Sequence, residues 1–295
     1  MIIDVHTHLG EHPHHISDRF LDLLQGGIDL VYHGDPPPHV RPWVTREQHL
    51  AAMRGVDRAI ALGFQSLSKG FLVPNDYVAE YARAHPDKIV GFCSVDPNDP
   101  RAIDELERCF YDLGLKGIKM GPVYQDFDPM DERAVRVYER AEALGMTILM
   151  HQGATFIRTA RLRIGMPIYL DEIGLRFPEL RLIIAHMGHP WFLDTIALIR
   201  QRPYFYADIS ALYYRPWQFY NALVMAHEYN VTDKLLFGSD YPFLSPEATI
   251  EALRSVNRMA QGTLPRVPED AIERIIGENA QRALGHLWAK VPSGA

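Results

Sequence analysis

Eight short apolar runs, separated by stretches with a helical pattern, constrain the fold of this chain more than any other feature. The runs are rich in Ile, Val, Leu or Phe and lack polar alternation, which is typical of strands covered on both faces of a parallel sheet. They cover residues 2–5, 58–63, 89–95, 117–120, 147–150, 182–185, 205–209 and 235–238. Most successive runs start about 25–35 residues apart, so this pattern predicts a (β/α)8 barrel.

The pattern continues along the whole chain, and we expect residues 1–295 to form one α/β domain. A doubly wound sheet is the alternative, but His-Thr-His follows the first run where such a sheet would carry a Gly-rich fingerprint. The longest irregular segment covers about residues 10–43 and includes three prolines at 36–38. It would lie over the carboxyl-terminal mouth of the barrel, where active sites form. Residues of about 265–283 predict an extra C-terminal helix.

Composition excludes several classes of partner. The chain has 30 basic and 37 acidic residues and no Lys/Arg run, so we expect neither nucleic-acid binding nor a polybasic membrane patch. It has no apolar stretch of about 18 residues that could span a membrane. The first residues lack the features of a signal peptide, and Cys93 and Cys109 are too few for a disulfide scaffold. These features favour a cytoplasmic protein with reduced cysteines.

Ligand-type side chains stand at the ends of four predicted strands. His6 and His8 are two residues apart, so in a strand both would point to one face. His151, His186 and Asp240 follow the fifth, sixth and eighth runs. Each alone could be a polar residue satisfied by a loop, but in a barrel all five would meet at the same end. Imidazoles and a carboxylate suit zinc with room for a water molecule.

Several motifs resemble those of the amidohydrolase superfamily. Within it, they are similar to the amidohydrolase-related branch, which includes aminocarboxymuconate-semialdehyde decarboxylase, resorcylate-type decarboxylases and several lactonases. The matching motifs are Asp-Val-His-Thr-His at 4–8, Gly-Ile-Lys-Met at 117–120, Met-His-Gln-Gly at 150–153, Ala-His-Met-Gly at 185–188, Phe-Gly-Ser-Asp-Tyr-Pro at 237–242 and Glu-Asn-Ala at 278–280. They occur in order along the whole chain, and the resemblance does not fix the substrate.

The resemblance implies roles for the strand-end residues. His6, His8, His151 and Asp240 correspond to metal ligands, and His186 corresponds to a histidine that orients or deprotonates a metal-bound water or binds a second ion. One Zn²⁺ is expected, with Mn²⁺ or a second ion as alternatives. Asp240 and His186 are the expected catalytic residues, because a carboxylate can serve as ligand and proton shuttle and an imidazole can stabilise an oxyanion. We also expect a homodimer or a higher homo-oligomer.

Lys119 has three alternative roles. It could extend its charge to the rim of the barrel, hold a substrate carboxylate as a cation, or be carbamylated and bridge two metal ions as in binuclear superfamily members. We favour the cationic role, because members of this branch are typically mononuclear. His189, Tyr124 and Arg158 are further candidates for substrate binding. Other histidines, His49 among them, are expected to be peripheral.

Two reactions fit these residues. The first is hydrolysis of a small carboxylated lactone, or of a related cyclic ester or amide, by a metal-activated water. The alternative is metal-dependent, non-oxidative decarboxylation of a hydroxybenzoate-like or muconate-like acid. Decarboxylases of this branch usually lack a lysine at the position of Lys119, which favours hydrolysis. A non-enzymatic metal-binding barrel is disfavoured because every expected ligand is present. In both reactions the partner is a small acidic molecule.

Overall fold

All eight predicted strands pair in one parallel sheet. The structure is a computed structural model that describes residues 1–31 and 41–288. The strands are β1 Ile3–His8, β2 Arg58–Leu62, β3 Ile89–Ser94, β4 Gly117–Met120, β5 Thr147–Met150, β6 Arg181–Ile184, β7 Phe205–Asp208 and β8 Leu235–Leu236. They follow one another in chain order across the sheet. The backbone N–H of Val5 donates to the carbonyl of Phe237 at 2.9 Å, so residues after β8 return to β1 and the (β/α)8 barrel is confirmed.

Helices surround this barrel. They are α1 Asp18–Val31, α2 Arg46–Ala52, α3 Asn75–Ala84, α4 Ala102–Tyr111, α5 Pro122–Gln125, α6 Glu132–Ala143, α7 Leu170–Arg176, α8 Phe192–Gln201, α9 Pro216–Glu228, α10 Pro246–Arg254, α11 Glu269–Glu273 and α12 Asn279–Leu284. A short antiparallel pair, Gln65–Ser66 with Phe71–Leu72, follows β2. Throughout residues 1–31 and 41–288, every helix is too short or too polar to cross a bilayer.

The first connection is more ordered than the sequence analysis predicted. The segment of about 10–43 was expected to be irregular, but α1 occupies residues 18–31. Phe20, Leu24 and Ile28 recur every four residues and give this helix one buried apolar face. The two adjacent glycines at 26 and 27 obscured that pattern in the sequence. The three prolines at 36–38 lie outside the described residues.

The amino-terminal end of the barrel is closed by the C-terminal helices. The predicted extra helix spans α11, one wider turn at Arg274–Glu278, and α12. Gly277 packs so closely against the backbone of Met1 that a Cβ there would overlap it. Leu284 and Leu287 join the apolar cluster that fills the barrel interior with Ile3 and Val5. One end of the barrel is therefore packed for stability alone, which leaves the other end for a site.

Candidate metal centre and substrate cavity

Three potential ligand atoms converge at the carboxyl-terminal mouth. The Nε2 atoms of His6 and His8 are 3.1 Å apart. Oδ1 of Asp240 lies 3.5 Å from Nε2 of His6 and 3.2 Å from Nε2 of His8. Neighbouring ligand atoms on a tetrahedral zinc ion with bonds of about 2.0–2.1 Å would be about 3.3–3.4 Å apart. The spacing of these three donors therefore fits one divalent ion.

An irregularity in β1 aims the two histidines at this point. Ile3 and Val5 face the barrel interior, and strict alternation would then send His6 and His8 outward. The register between β1 and β2 shifts between Asp4 and Thr7, as a β-bulge does. A bulge changes which face the following side chains occupy. Both histidines can therefore enter the mouth although they follow inward-facing apolar residues.

Asp208, which the sequence analysis did not single out, orients His6. Its Oδ2 lies 2.9 Å from Nδ1 of His6, and both side chains are fully buried. An Nδ1–H that donates to this carboxylate leaves the Nε2 lone pair free for a metal. The other oxygen of Asp208 accepts from the backbone N–H of His186 and of Ser210, both at 3.0 Å. The position of Asp208 at the end of β7 was the available signal, since the other ligand candidates also stand at strand ends.

His186 lies beside this pair in a strained backbone. Its φ is +55°, in the left-handed region that non-glycine residues rarely adopt, and Asp240 has a φ of +60°. Nδ1 of His186 is 2.7 Å from Oγ of Ser210, and its ring stacks on that of His6 at 5.0 Å. His6, His186 and Asp208 form a second group whose ligand atoms lie within 4.8 Å of one another. This group shares His6 with the first, so the two represent alternative or adjoining ion positions.

His151 is close to these residues but belongs to neither group. Its ring lies 5.0 Å from that of His186, and its Nε2 lies 3.1 Å from the carbonyl oxygen of Ala154. Burial is the main cause that lowers its pKa to about 3. Burial likewise lowers the pKa of His6, His8 and His186. Neutral imidazole is the form that binds a metal, so this environment suits the donor set.

Lys119 lies at the floor of the mouth, so the alternative in which it extends its charge to the rim does not hold. The side chain is buried, with Nζ 3.0 Å from Nε2 of His6. Burial lowers its pKa from 10.5 to about 8, while Asp208 and Asp240 act in the opposite direction. The lysine therefore places one amine directly beside the convergent ligand atoms.

His49 was expected to be peripheral, but it is fully buried behind β1. Its Nε2 lies 2.8 Å from Oγ1 of Thr7, and its Nδ1 lies 2.9 Å from the hydroxyl of Tyr81. Thr7 also donates to the carbonyl of Ile60 at 2.6 Å. Because Thr7 stands between His6 and His8, this network supports the irregular part of β1. No local pattern in the sequence indicates this network, because the contact between His49 and Thr7 joins residues 42 positions apart.

A second buried acid braces β1 from the opposite side. Oδ1 of Asp4 accepts from the backbone N–H of Ser239 at 3.0 Å and of His6 at 3.1 Å. Burial raises the pKa of Asp4 to about 7, and the hydrogen bonds from Ser239 oppose that shift. Gly238 lies so close to His6 that a Cβ would be 2.8 Å from the Cβ of His6. These contacts join β1 to the segment that carries Asp240.

The mouth opens into a cavity of about 500 Å³. Its polar floor is formed by His8, Lys119, His151, His186 and Asp240, and most of its remaining lining is apolar or aromatic. This combination of an apolar enclosure with a few convergent polar groups is typical of small-molecule sites.

The candidates for substrate binding fall on different parts of this cavity. Tyr124 and His189 line it, and Nε2 of His189 lies 2.8 Å from Oε1 of Gln218. Arg158 is exposed and is not part of the lining, so the structure does not bring it to the other candidates. Arg215, which the sequence analysis did not single out, lines the cavity instead.

Comparison with known proteins places this arrangement in context. The model of the amidohydrolase family matches residues 3–286, nearly the whole chain. A 2-amino-3-carboxymuconate-6-semialdehyde decarboxylase from Dictyostelium discoideum is 24% identical over an alignment of 245 residues, and the match covers 72% of this chain and 65% of that protein. A gamma-resorcylate decarboxylase from Polaromonas sp. (strain JS666 / ATCC BAA-500) is 26% identical over an alignment of 214 residues, and the match covers 57% of this chain and 64% of that protein. The matched regions thus span just under two thirds of both relatives.

The fold is also found among solved structures. An uncharacterised TIM-barrel protein from Bordetella bronchiseptica superposes with a TM-score of 0.73 at 22% identity. The match covers 98% of this chain and 99% of that one. The arrangement of strands and helices is therefore shared over the full length of both proteins.

Proposed function

The chain belongs to the amidohydrolase family of enzymes, and from that membership we propose that it is a metal-dependent, non-oxidative decarboxylase of a small carboxylic acid. Both relatives described above are named as decarboxylases. These names favour the decarboxylase alternative over hydrolysis of a lactone, which the sequence analysis had preferred. The proposed substrate class is a hydroxybenzoate-like or muconate-like acid.

The observation that carries the proposal is the convergence of His6, His8 and Asp240 beside the amine of Lys119. Three donor atoms with the spacing of metal ligands lie next to a cation, at the closed end of a largely apolar cavity. An acid with an unsaturated or aromatic body matches both parts of this environment. Its carboxylate meets the cation, and its body meets the apolar walls.

The proposed metal ion is held by His6, His8 and Asp240, with His151 as a further ligand. When bound, a divalent ion would supply Lewis acidity and offset the negative charge of the substrate. We favour Zn²⁺ because the donors are imidazoles and a carboxylate, while Mn²⁺ is the alternative. One ion is favoured over two because both candidate groups draw on His6.

Three side chains at the floor of the cavity carry out the remaining steps of the proposed reaction. Lys119 binds the substrate carboxylate and fixes its position, as a charge-assisted hydrogen bond does. Asp240 delivers a proton to the carbon atom that carries the carboxylate, which forms a new C–H bond. The bond from that carbon to the carboxylate then breaks, its electron pair restores the unsaturated system, and CO2 leaves. His186, held through Nδ1 by Ser210, stabilises the positive charge that the unsaturated body of the substrate carries between gain of the proton and loss of CO2.

Hydrolysis of a small carboxylated lactone is the second candidate. The observation that favours it is the buried Lys119, because decarboxylases of this branch usually carry another residue there. The same floor residues would serve both reactions, with Asp240 passing a proton to the leaving oxygen. The two reactions differ in whether water is consumed, so the mass of the product separates them.

The test uses the full chain loaded with Zn²⁺ or Mn²⁺ and a panel of acids that includes gamma-resorcylate and small carboxylated lactones. We expect CO2 release with a product lighter by the mass of CO2, and loss of this activity in Asp240→Asn. The exposed Arg158→Gln variant is a matched control that should retain it. A product heavier by the mass of water would support the hydrolase instead. Gel filtration of the same sample would test the expected homo-oligomer.

A further inference from the structure

One wall of the cavity is a continuous apolar surface. We call it the apolar subpocket and define it by Phe20, Leu24 and Ile28 of α1 together with Phe64, Phe71 and Phe156. The three residues of α1 are four positions apart, so they form one stripe along the helix. None of the six side chains carries a charge. Of the charged lining residues, Lys119 lies in β4, whereas Arg215 and Asp240 stand on the segments that follow β7 and β8.

Aromatic contacts join the apolar subpocket to the floor. The ring of Phe20 lies 4.9 Å from that of Phe71, which lies 5.6 Å from that of Phe64. Phe64 contacts Tyr124 at 5.8 Å, and Tyr124 contacts His151 at 4.7 Å. A ligand whose polar group reaches the floor can therefore extend along this path without leaving the cavity.

The position of α1 depends on a close contact at Gly27. A Cβ at this residue would overlap the backbone carbonyl of Phe156, whereas a Cβ at Gly26 would have no heavy atom within 4 Å. Only a glycine at 27 lets the helix approach the loop after β5 this closely. The contact holds α1 against Phe156 and so encloses the apolar subpocket.

We propose that the substrate carries a nonpolar substituent, such as an alkyl chain, that occupies the apolar subpocket while its carboxylate binds at the floor. This inference rests on the proposed function and narrows its substrate class. An enclosure without charged groups offers no partner for a polar substituent, and each buried polar group without a partner is unfavourable. A hydrocarbon substituent gains free energy from the same enclosure.

The first test measures binding of two series of probe acids, 3-alkylbenzoates and 4-alkylbenzoates from methyl to hexyl, by calorimetry. Burial of each methylene should strengthen binding about fourfold until the apolar subpocket is full. We expect this gain in at least one series, with metal-free and with zinc-loaded protein, because the apolar subpocket contains no ligand of the ion. Affinity that stays level or falls with chain length in both series would overturn the proposal.

Substitutions at Leu24 locate the effect. Leu24→Ser should reduce the gain per methylene at least twofold. Leu24→Phe should shorten the longest chain that still gains affinity. Leu175→Ser is the matched control, because Leu175 is 57% exposed on α7. If Leu24→Ser and Leu24→Phe both bind the two series as the wild type does, the chains lie elsewhere and the proposal is wrong.

Substitutions at the adjacent residues Gly26 and Gly27 provide a second, independent test. Gly27→Ala should displace α1 and reduce the gain per methylene, whereas Gly26→Ala should not change it. Equal gains in both variants would contradict the role of α1. Release of CO2 without a gain from alkyl chains would overturn this inference alone. A gain without any CO2 release would overturn the decarboxylase and leave the inference standing.

Discussion

The two ends of the barrel use the same strands for opposite purposes. At the amino-terminal end, Ile3 and Val5 of β1 pack with Leu284 and Leu287 in a cluster of buried apolar side chains. At the carboxyl-terminal end, the same strand carries His6 and His8 into a group of buried imidazoles, carboxylates and one amine. The change occurs across the register shift between Asp4 and Thr7.

The energetically unfavourable features of the fold are concentrated at the carboxyl-terminal end of the barrel. Buried ionisable groups require desolvation, and left-handed backbone at non-glycine residues stores strain. Both features occur together at the carboxyl-terminal end, where His186 and Asp240 have positive φ values and buried groups have shifted pKa values. The apolar cluster at the amino-terminal end contains neither a buried ionisable group nor a residue with positive φ. Substitutions at the carboxyl-terminal end should therefore alter catalytic activity, and substitutions at the amino-terminal end should alter the free energy of unfolding.

The largest expected effect is a loss of activity from substitutions at the carboxyl-terminal end of the barrel. Asp240→Asn should lower kcat/KM by about 10²–10⁴-fold, the usual contribution of a group that transfers a proton. His151→Ala should also abolish turnover, because it removes one of the proposed metal ligands. Asp240→Ala should in addition weaken metal retention. Kinetics on purified variants, with metal content measured by elemental analysis, check this. Near-wild-type activity in any of these three variants would overturn the assignment of the residue that it changes.

The next largest effect is a loss of stability from substitutions at the amino-terminal end of the barrel. Leu284→Ala should lower the free energy of unfolding by about 2–5 kcal/mol, because it leaves a cavity in the core. Its kcat/KM and metal content should match those of the wild type. Leu264→Ala is the control, since Leu264 is 41% exposed. Urea denaturation provides the measurement, and a loss of activity in the folded Leu284→Ala protein would show that the two ends are not independent.

A smaller effect on activity is expected when the amine of Lys119 is removed from the carboxyl-terminal end of the barrel. Lys119→Met should raise KM by about 10–100-fold through loss of one charge-assisted hydrogen bond, and metal stoichiometry should stay at one. A carbamylated lysine would behave differently. Two tightly bound ions in the wild type that fall to one in the variant would show that Lys119 bridges them.

The smallest expected effect is on the pH dependence of the free energy of unfolding, and it comes from His49, which is buried behind β1. Burial lowers the pKa of His49 to about 3, whereas an exposed histidine has a pKa near 6.5. The neutral form is favoured in the folded protein, so its contribution is complete above about pH 6.5 and is lost as the pH falls toward 3. Between pH 7 and pH 5 the loss should be about 2 kcal/mol.

His49→Gln isolates this contribution from those of the other buried histidines. The variant should be less stable at pH 7, because the bonds to Thr7 and Tyr81 change, but its unfolding free energy should fall less steeply toward pH 5. Parallel slopes for the variant and the wild type would show that His49 does not titrate on unfolding.

The sequence predicted what depends on local pattern and missed what depends on three-dimensional contacts. All eight strands were located, because a buried parallel strand requires a continuous apolar run. His6, His8 and Asp240 were predicted to meet because strand ends share one face of a barrel. Asp208 and His49 were missed because their functions come from contacts with residues far away in sequence.

The most direct test of the metal centre is anomalous diffraction from crystals of the zinc-loaded protein. The account predicts one strong peak about 2.0–2.2 Å from Nε2 of His6, Nε2 of His8 and Oδ1 of Asp240. His151 would complete the ligands by turning its Nε2 away from the carbonyl of Ala154. A peak bound elsewhere, or a mouth that binds no ion from a zinc solution, would contradict the central claim.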